Sequence, residues 1–352
     1  MNGVQNLKKA YPWIQTPLVV GAPMRLISLA DLAVSISRAG GLGFIGGGTE
    51  SDLDVHLSRA KALLAESPIA SRSNTLPVGV GFINWGSDLS ISMPVIQKYR
   101  PAAAWFFAPK SIASLVQWTI STRNASPDTE IWVQVGSVSD ALAVVKSVQP
   151  DVLVVQGSDA GGHGLAQGAG VISLVPEVSD AVDALVTKEG GYSPVIIAAG
   201  GIIECRGAAA ALALGASGVV IGTRLLASKE AKIAKGYQDE VLRAKDGGQT
   251  TVRSKVYDNL RGTTGWSDSY NARGIINNSY TDAMAGLDED ENKKLYNEEL
   301  NKGDDGWGVE GRLTTYAGTG VGLVKGVMSA EDIVKEVRQG AKDVLAGLTA
   351  KL

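Results

Sequence analysis

The sequence predicts an α/β fold: a (β/α)8 TIM barrel with a polar insertion, or lid, toward its C-terminus and a final helix that closes the ring. Three observations carry this prediction. Eight short apolar runs occur at 18–22, 42–45, 78–82, 103–107, 131–135, 152–155, 195–199 and 219–221. They are rich in Val, Ile and Ala and continuous rather than alternating, as strands covered on both faces should be. The segments between them carry helical spacing, and 352 residues suffice for one large barrel with additions. A doubly wound open sheet is the competing architecture, because a count of strands does not prove closure.

The connecting helices are legible in part. Residues 140–148 place Ala141, Val144, Val145 and Val148 at i, i+3, i+4 and i+7. An alanine-rich helix is expected over 207–214. Ser51-x-x-Asp54, Ser137-x-x-Asp140 and Ser329-x-x-Asp332 read as capping boxes at helix starts. The barrel is expected to occupy 1–245 and 313–352. Residues 246–312 differ in character, being polar and rich in Gly, Asn, Asp and Glu with scattered aromatics. They read either as a solvated surface insertion or as a lid over the barrel mouth, with Trp266 or Tyr270 touching substrate. The acidic run 287–301 is helix-prone, and 329–345 has the amphipathic pattern of a helix closing the outer ring.

Composition narrows the function. The net charge is −3 with no Lys/Arg cluster, which argues against nucleic acid as a partner. A single cysteine, Cys205, excludes an internal disulfide framework. With two histidines and one cysteine, a zinc site would need mostly carboxylate ligands, so no metal is expected. The first eleven residues are polar, carry Lys8 and Lys9, and lack the apolar core of a secretion signal. No run approaches the roughly 20 apolar residues of a membrane span. The expectation is a soluble intracellular protein with no membrane association. Ala350-Lys351-Leu352 resembles a Ser-Lys-Leu peroxisomal address and equally reads as a frayed helix end, so cytoplasm and peroxisome both stand as locations.

The chemistry centres on Gln156-Gly-Ser-Asp-Ala-Gly-Gly-His163-Gly, directly after the sixth apolar run. A histidine among glycines at a strand end can be approached from several sides, and histidine moves protons near neutral pH. The other histidine, His56, lies on a polar helix face and reads as a surface residue. In such barrels phosphate binds at the loops after strands seven and eight. Here those strands end in Ala199-Gly200-Gly201 and Ile221-Gly222-Thr223-Arg224. Glycine lets backbone N–H groups come close to a phosphate, and Thr223 adds a hydroxyl. Asn84, Gln134 and Gln156 follow or lie on strands three, five and six, and carboxamides both donate to and accept from a neutral heterocycle. Ala22-Pro23-Met24 ends strand one and could edge a flat ring. No Gly-x-Ser-x-Gly elbow, Walker loop or Gly-x-Gly-x-x-Gly after strand one occurs.

Taken together, these pieces resemble the nitronate monooxygenase family, formerly 2-nitropropane dioxygenases, and its fungal-type branch. The resemblance is carried by Ala22-Pro-Met24, Ala39-Gly-Gly-Leu-Gly43, Gly79-Val-Gly-Phe-Ile-Asn84, Gln156-x4-Gly-Gly-His163-Gly, Ile197-Ala-Ala-Gly-Gly201, Gly215-Ala-x-Gly-x-x-x-Gly-Thr-Arg224 and Tyr316-Ala-Gly-Thr-Gly-Val-Gly322. It spans nearly the whole chain and implies a barrel binding FMN non-covalently. The flavin ring would lie against Ala22, Pro23 and Met24, with Asn84, Gln134 and Gln156 on its polar edges and Gly161 close by. Its phosphate would sit on Gly200, Gly201, Gly222 and Thr223, assisted by Gly318 and Thr319. His163 matches the family's active-site histidine, which orients the anionic nitronate or acts as base toward a neutral nitroalkane. The resemblance implies electron transfer from nitronate to flavin and then to O2, yielding a carbonyl compound and nitrite. Relatives often carry small residues after the equivalent of Met24, whereas Arg25-Leu26 follows here, and Arg25 can face either the ring or solvent. An FMN-dependent NAD(P)H:quinone or enoyl reductase and a non-catalytic flavin-binding protein share the same motifs. A homodimer is left open.

Overall fold

The protein is described by a computed structural model covering residues 3–48, 52–72 and 75–349. Eleven strands form in chain order: β1 (Leu18–Gly21), β2 (Leu42–Gly48), β3 (Leu76–Ile83), β4 (Pro101–Phe107), β5 (Glu130–Val135), β6 (Val152–Gln156), β7 (Gly162–Leu165), β8 (Val195–Ala199), β9 (Gly218–Ile221), β10 (Thr251–Ser254) and β11 (Tyr270–Ile275). All but β7, β10 and β11 form one closed parallel barrel, and β9 returns to pair with β1, Val19 opposite Val219 and Gly21 opposite Ile221. The open-sheet alternative is thereby excluded.

The physical basis is the two-sided burial read from the apolar runs. Leu18, Val20, Phe44, Trp105, Trp132, Val154 and Ile197 fill the barrel interior, while Val19, Ile45, Phe106, Val133, Val155 and Ile196 face the helical layer. Successive strand residues point to opposite faces, so both must be apolar when both are covered. Inside, Trp105 and Trp132 stack with centroids 5.8 Å apart, and Phe44 meets Trp105 edge-on at 5.1 Å. The polar N-terminal segment is not a loose tail. Its helix Gly3–Ala10 buries Leu7, and the Tyr11 hydroxyl accepts a 2.7 Å bond from the Trp132 indole N–H inside the barrel.

Close backbone approaches explain several glycines. A Cβ on Gly43 would lie 2.0 Å from the Ala33 carbonyl oxygen, so the helix Ala30–Arg38 rests on β2 only because Gly43 has no side chain. A Cβ on Gly81 would strike the Pro23 ring at 2.3 Å, and one on Gly46 would meet the Met24 carbonyl at 2.5 Å. These two glycines let the 22–24 turn lie across the mouth over β2 and β3.

Helices appear where expected. Val138–Val148 buries Ala141, Val144, Val145 and Val148, with Ser137 Oγ accepting from Asp140 N–H at 3.1 Å. Asp332 N–H likewise donates to Ser329 Oγ at 3.1 Å at the start of Ala330–Thr349. The third predicted box rests on Ser51, which lies outside the described residues; the helix it would start runs Leu53–Glu66. The final helix buries Ile333, Val334 and Val337, and Arg338 donates to the Ala39 and Pro17 carbonyls at 2.7 and 3.3 Å. It thereby joins the end of the ring to its beginning. None of the described helices is long and apolar enough to cross a membrane. The tripeptide 350–352 lies outside the described residues.

Candidate active site

The sequence places His163 in an open glycine loop; the structure corrects this. His163 is on β7, a short strand between β6 and β8 that leaves the barrel and pairs antiparallel with β11, His163 opposite Ala272. β11 pairs in turn with β10. The polar segment after residue 245 thus supplies two of three strands in a sheet built around the histidine. The reason is backbone satisfaction: the Gly162–Leu165 stretch has no apolar periodicity of its own, and its N–H and C=O groups find their strand partners on β11.

Two arginines pin this arrangement. Arg253 on β10 donates to the carbonyls of Ser158, Ala160 and Asn271 at 3.2, 3.0 and 3.1 Å. Arg273 on β11 donates to Ser158 O at 3.2 Å and to Thr251 Oγ1 at 3.1 Å. Burial, and after it the neighbouring Arg273, pulls the Arg253 guanidinium down to about 10, so it is still charged at neutral pH.

His163 itself is largely enclosed, with a side chain 15% exposed. Its Nε2 lies 3.0 Å from both carboxylate oxygens of Asp258, on the short helix Val256–Arg261. Asp258 Oδ1 also accepts from the Thr263 hydroxyl at 2.8 Å and the Tyr316 hydroxyl at 3.2 Å. The Trp266 indole stacks on the imidazole at 3.8 Å with 9° between the planes, and Tyr316 meets its edge at 5.6 Å. Trp266 further contacts Trp85, Phe107 and Tyr270, at 5.5, 5.8 and 6.1 Å. Burial, then Asp140, raises the Tyr270 phenol to about 12, so it is neutral. Neither Asp258 nor the two arginines stands out in the sequence. Tyr316 lies in a quoted motif, but nothing there signals that it faces His163.

The other predicted residues fall into two groups around the mouth. Pro23, Arg25, Phe107 and Gln134 line a cavity at the strand ends. Asn84 is buried; its Oδ1 accepts from Phe107 N–H at 2.9 Å, while its Nδ2 has no protein partner. Gln134 Oε1 accepts from Trp105 Nε1 at 3.1 Å, and Gln156 Nε2 donates to the His163 carbonyl at 3.3 Å. The second group is the loops. Gly200 and Gly201 have φ of +100° and +75°, which favour glycine. A Cβ on Gly161 would lie 2.4 Å from Gly318 N, and Gly318 N–H donates to Thr223 Oγ1 at 3.0 Å. The loops at 161, 200–201, 222–223 and 318–319 therefore converge. Thr319 Oγ1 donates to Asp159 Oδ1 at 3.0 Å, which puts an unforeseen carboxylate beside them. Arg224 turns away, to Gly326 O at 3.1 Å. His56 sits 3.4 Å from Asp52, on the helix Leu53–Glu66.

A family model described as nitronate monooxygenase matches residues 117–340. A nitronate monooxygenase, npaC, of Metarhizium robertsii is 49% identical over 99% of this chain and 97% of its own length. The chain belongs to the nitronate monooxygenase family. The nitronate monooxygenase of Neurospora crassa, 36% identical over 98% of this chain and 94% of its own, places it with fungal members. The match makes it an oxidoreductase of that family. Two solved structures share the fold: FabK from Thermotoga maritima (TM-score 0.73, 22% identity, 98% of each chain) and a nitroalkane oxidase from Streptomyces ansochromogenes (TM-score 0.70, 20% identity, 94% of this chain and 98% of that one).

Proposed function

We propose that the protein binds FMN across the barrel mouth and oxidises alkyl nitronates with O2 to a carbonyl compound and nitrite, accepting neutral nitroalkanes where His163 acts as base. The observation that carries this reading is the convergence of His163 with the four glycine-bearing loops at one end of the barrel. The relatives' names, nitronate monooxygenases at 49% and 36% identity, support the substrate class.

The residues fit a flavin. Asn84 Nδ2 is a buried donor awaiting an acceptor, and such groups are rarely left unmatched. At Gly222 a Cβ would meet only the Ala22 Cβ, at 3.5 Å, leaving room beside a backbone that is otherwise closely packed. In this reading Ala22, Pro23 and Met24 back the ring, Asn84, Gln134 and Gln156 hold its polar edges, and Gly161 lies close to it. Gly200, Gly201, Gly222, Thr223, Gly318 and Thr319 hold the phosphate. Asp159 would repel a phosphate alone, but Arg253 and Arg273 act on the same carboxylate and offset its charge. The chemistry supplied by bound FMN is one-electron oxidation of the nitronate and delivery of electrons to O2. His163 orients the anion or takes the α-proton of a neutral nitroalkane. Arg25 brings a positive charge to the mouth, which suits an anionic substrate. Trp266 and Tyr270, from a lid comprising 246–312 over a barrel of 1–245 and 313–352, exclude water and wall the substrate site.

The deciding experiment is an anaerobic titration of the purified yellow protein. A nitronate should reduce the flavin and NADH or NADPH should not. Bleaching by NAD(P)H without response to nitronates would assign it instead as a quinone or enoyl reductase. A flavin that responds to neither would make it a binding protein.

A further inference from the structure

We propose that Asp258 is a positioning residue for His163: it holds the proton of the neutral imidazole on Nε2 and leaves Nδ1 as the nitrogen that meets the substrate. This inference rests on the nitronate and nitroalkane oxidation proposed above. An ionised carboxylate can only accept hydrogen bonds. Asp258 is 4% exposed in its side chain and takes the Thr263 and Tyr316 hydroxyls as donors, at 2.8 and 3.2 Å. Burial, and after it the Asp258 charge, holds the Tyr316 phenol well above its ordinary pKa, so it stays protonated and donating. Oδ1 already accepts two hydroxyls, and the ring Nε2 lies against both oxygens, so the carboxylate acts toward every one of these neighbours as an acceptor. The contacts of 3.0 Å from His163 Nε2 to both oxygens are then N–H donation, and in the neutral ring the lone pair is on Nδ1.

The consequence for a neutral nitroalkane is specific. The α C–H bond breaks, its proton goes to Nδ1, and its electron pair moves into the nitro group to give the nitronate. The imidazolium so formed lies against a carboxylate that stabilises it without touching the substrate. Trp266 covers one face of the ring at 3.8 Å, which leaves the ring edge for this transfer. A preformed nitronate has no such proton to lose, so its oxidation does not call on the lone pair of Nδ1. A purely structural Asp258, tying the insertion to the barrel, would affect both substrates alike.

Both predictions are measurable on the flavin-loaded protein. The chain has two histidines, so selective 15N-histidine labelling gives two rings, assigned with a His56→Gln variant. At a pH where the rings are neutral, His163 should show a protonated Nε2 and an unprotonated Nδ1. Asp258→Asn, whose amide can donate to Nε2, should reverse this. That variant should lose roughly 10²–10⁴-fold in kcat on a neutral nitroalkane and little on the preformed nitronate. Asp258→Glu should recover part of the loss. A wild-type ring protonated on Nδ1, or equal losses on the two substrates, overturns the proposal. If Asp258→Asn does not fold, the wild-type spectrum decides alone. Wild-type protein with the assigned tautomer that oxidises neither substrate would sink the proposed function and with it the role of Nδ1, a result distinct from a wrong tautomer.

Discussion

At the scale of single residues, His163 is half-buried between an aromatic face and a carboxylate, and that setting makes it sensitive to small changes. Replacing it with Asn should cost roughly 10²–10⁴-fold on a neutral nitroalkane, from the loss of a general base, and clearly less on a preformed nitronate. Initial rates on the two substrates at equal flavin content check this. Gly222 offers a contrasting test. Its φ is −117°, a value any residue adopts, and a methyl there would meet only the Ala22 Cβ, at 3.5 Å. Gly222→Ala should leave the flavin-free protein within about 0.5 kcal/mol in urea denaturation. It should nonetheless weaken flavin retention, because the methyl fills the space that a phosphate would enter; unchanged retention after dialysis would remove Gly222 from the site. His163 and the glycine loops were readable in the sequence because they are locally distinctive. Asp258 was not. It sits in Val256-Tyr-Asp-Asn-Leu-Arg, which carries no local signal, and it meets His163 across 95 residues of chain.

At the scale of elements, the strands of the barrel could be placed from the sequence, since continuous apolar runs arise wherever both faces are covered; the predicted 195–199 coincides with Val195–Ala199, while 42–45 falls short of Leu42–Gly48 at its glycine end. The three-stranded sheet could not. Gly162–Leu165 looks like a turn until β11 is laid beside it, and propensity is silent about such a pairing. The lid aromatics were flagged individually, but their mutual packing was not. Trp266 rests on His163, Trp85, Phe107 and Tyr270 at once, so it is the wall most easily opened without disturbing the barrel. Trp266→Ala should raise kcat/KM for phenylnitromethane nitronate relative to ethylnitronate by roughly ten-fold, the scale of a pocket enlarged by a few methylenes. An unaltered ratio would mean that the indole does not border the substrate.

At the scale of the whole molecule, the two ends of the barrel are chemically unlike. The mouth holds the histidine and the aromatics, while the opposite end holds a knot of charges at the strand starts. There Glu130 lies 3.2 Å from Arg72, and Asp151 accepts from Ile131 N–H at 2.7 Å. Burial, and next the Asp151 charge, raises the Glu130 carboxyl from 4.5 to about 7. Ionising it costs the native state more than the unfolded chain. The stability it contributes is therefore complete below pH 4.5 and is lost as pH rises through about 7. Thermal denaturation at pH 5 and pH 8 should show Glu130→Gln losing less stability than the parent, by about 1–3 kcal/mol; parallel losses would contradict the assignment. The pairing of β7 with β11 carries a consequence for how this scaffold diversifies. Because His163 is stitched to β11 and held by Asp258, both in the segment proposed to wall the substrate, exchanging residues 246–312 for those of a relative would replace the histidine's support together with that wall. Under the proposed function, substrate range and acid–base competence would therefore move together, as one cassette.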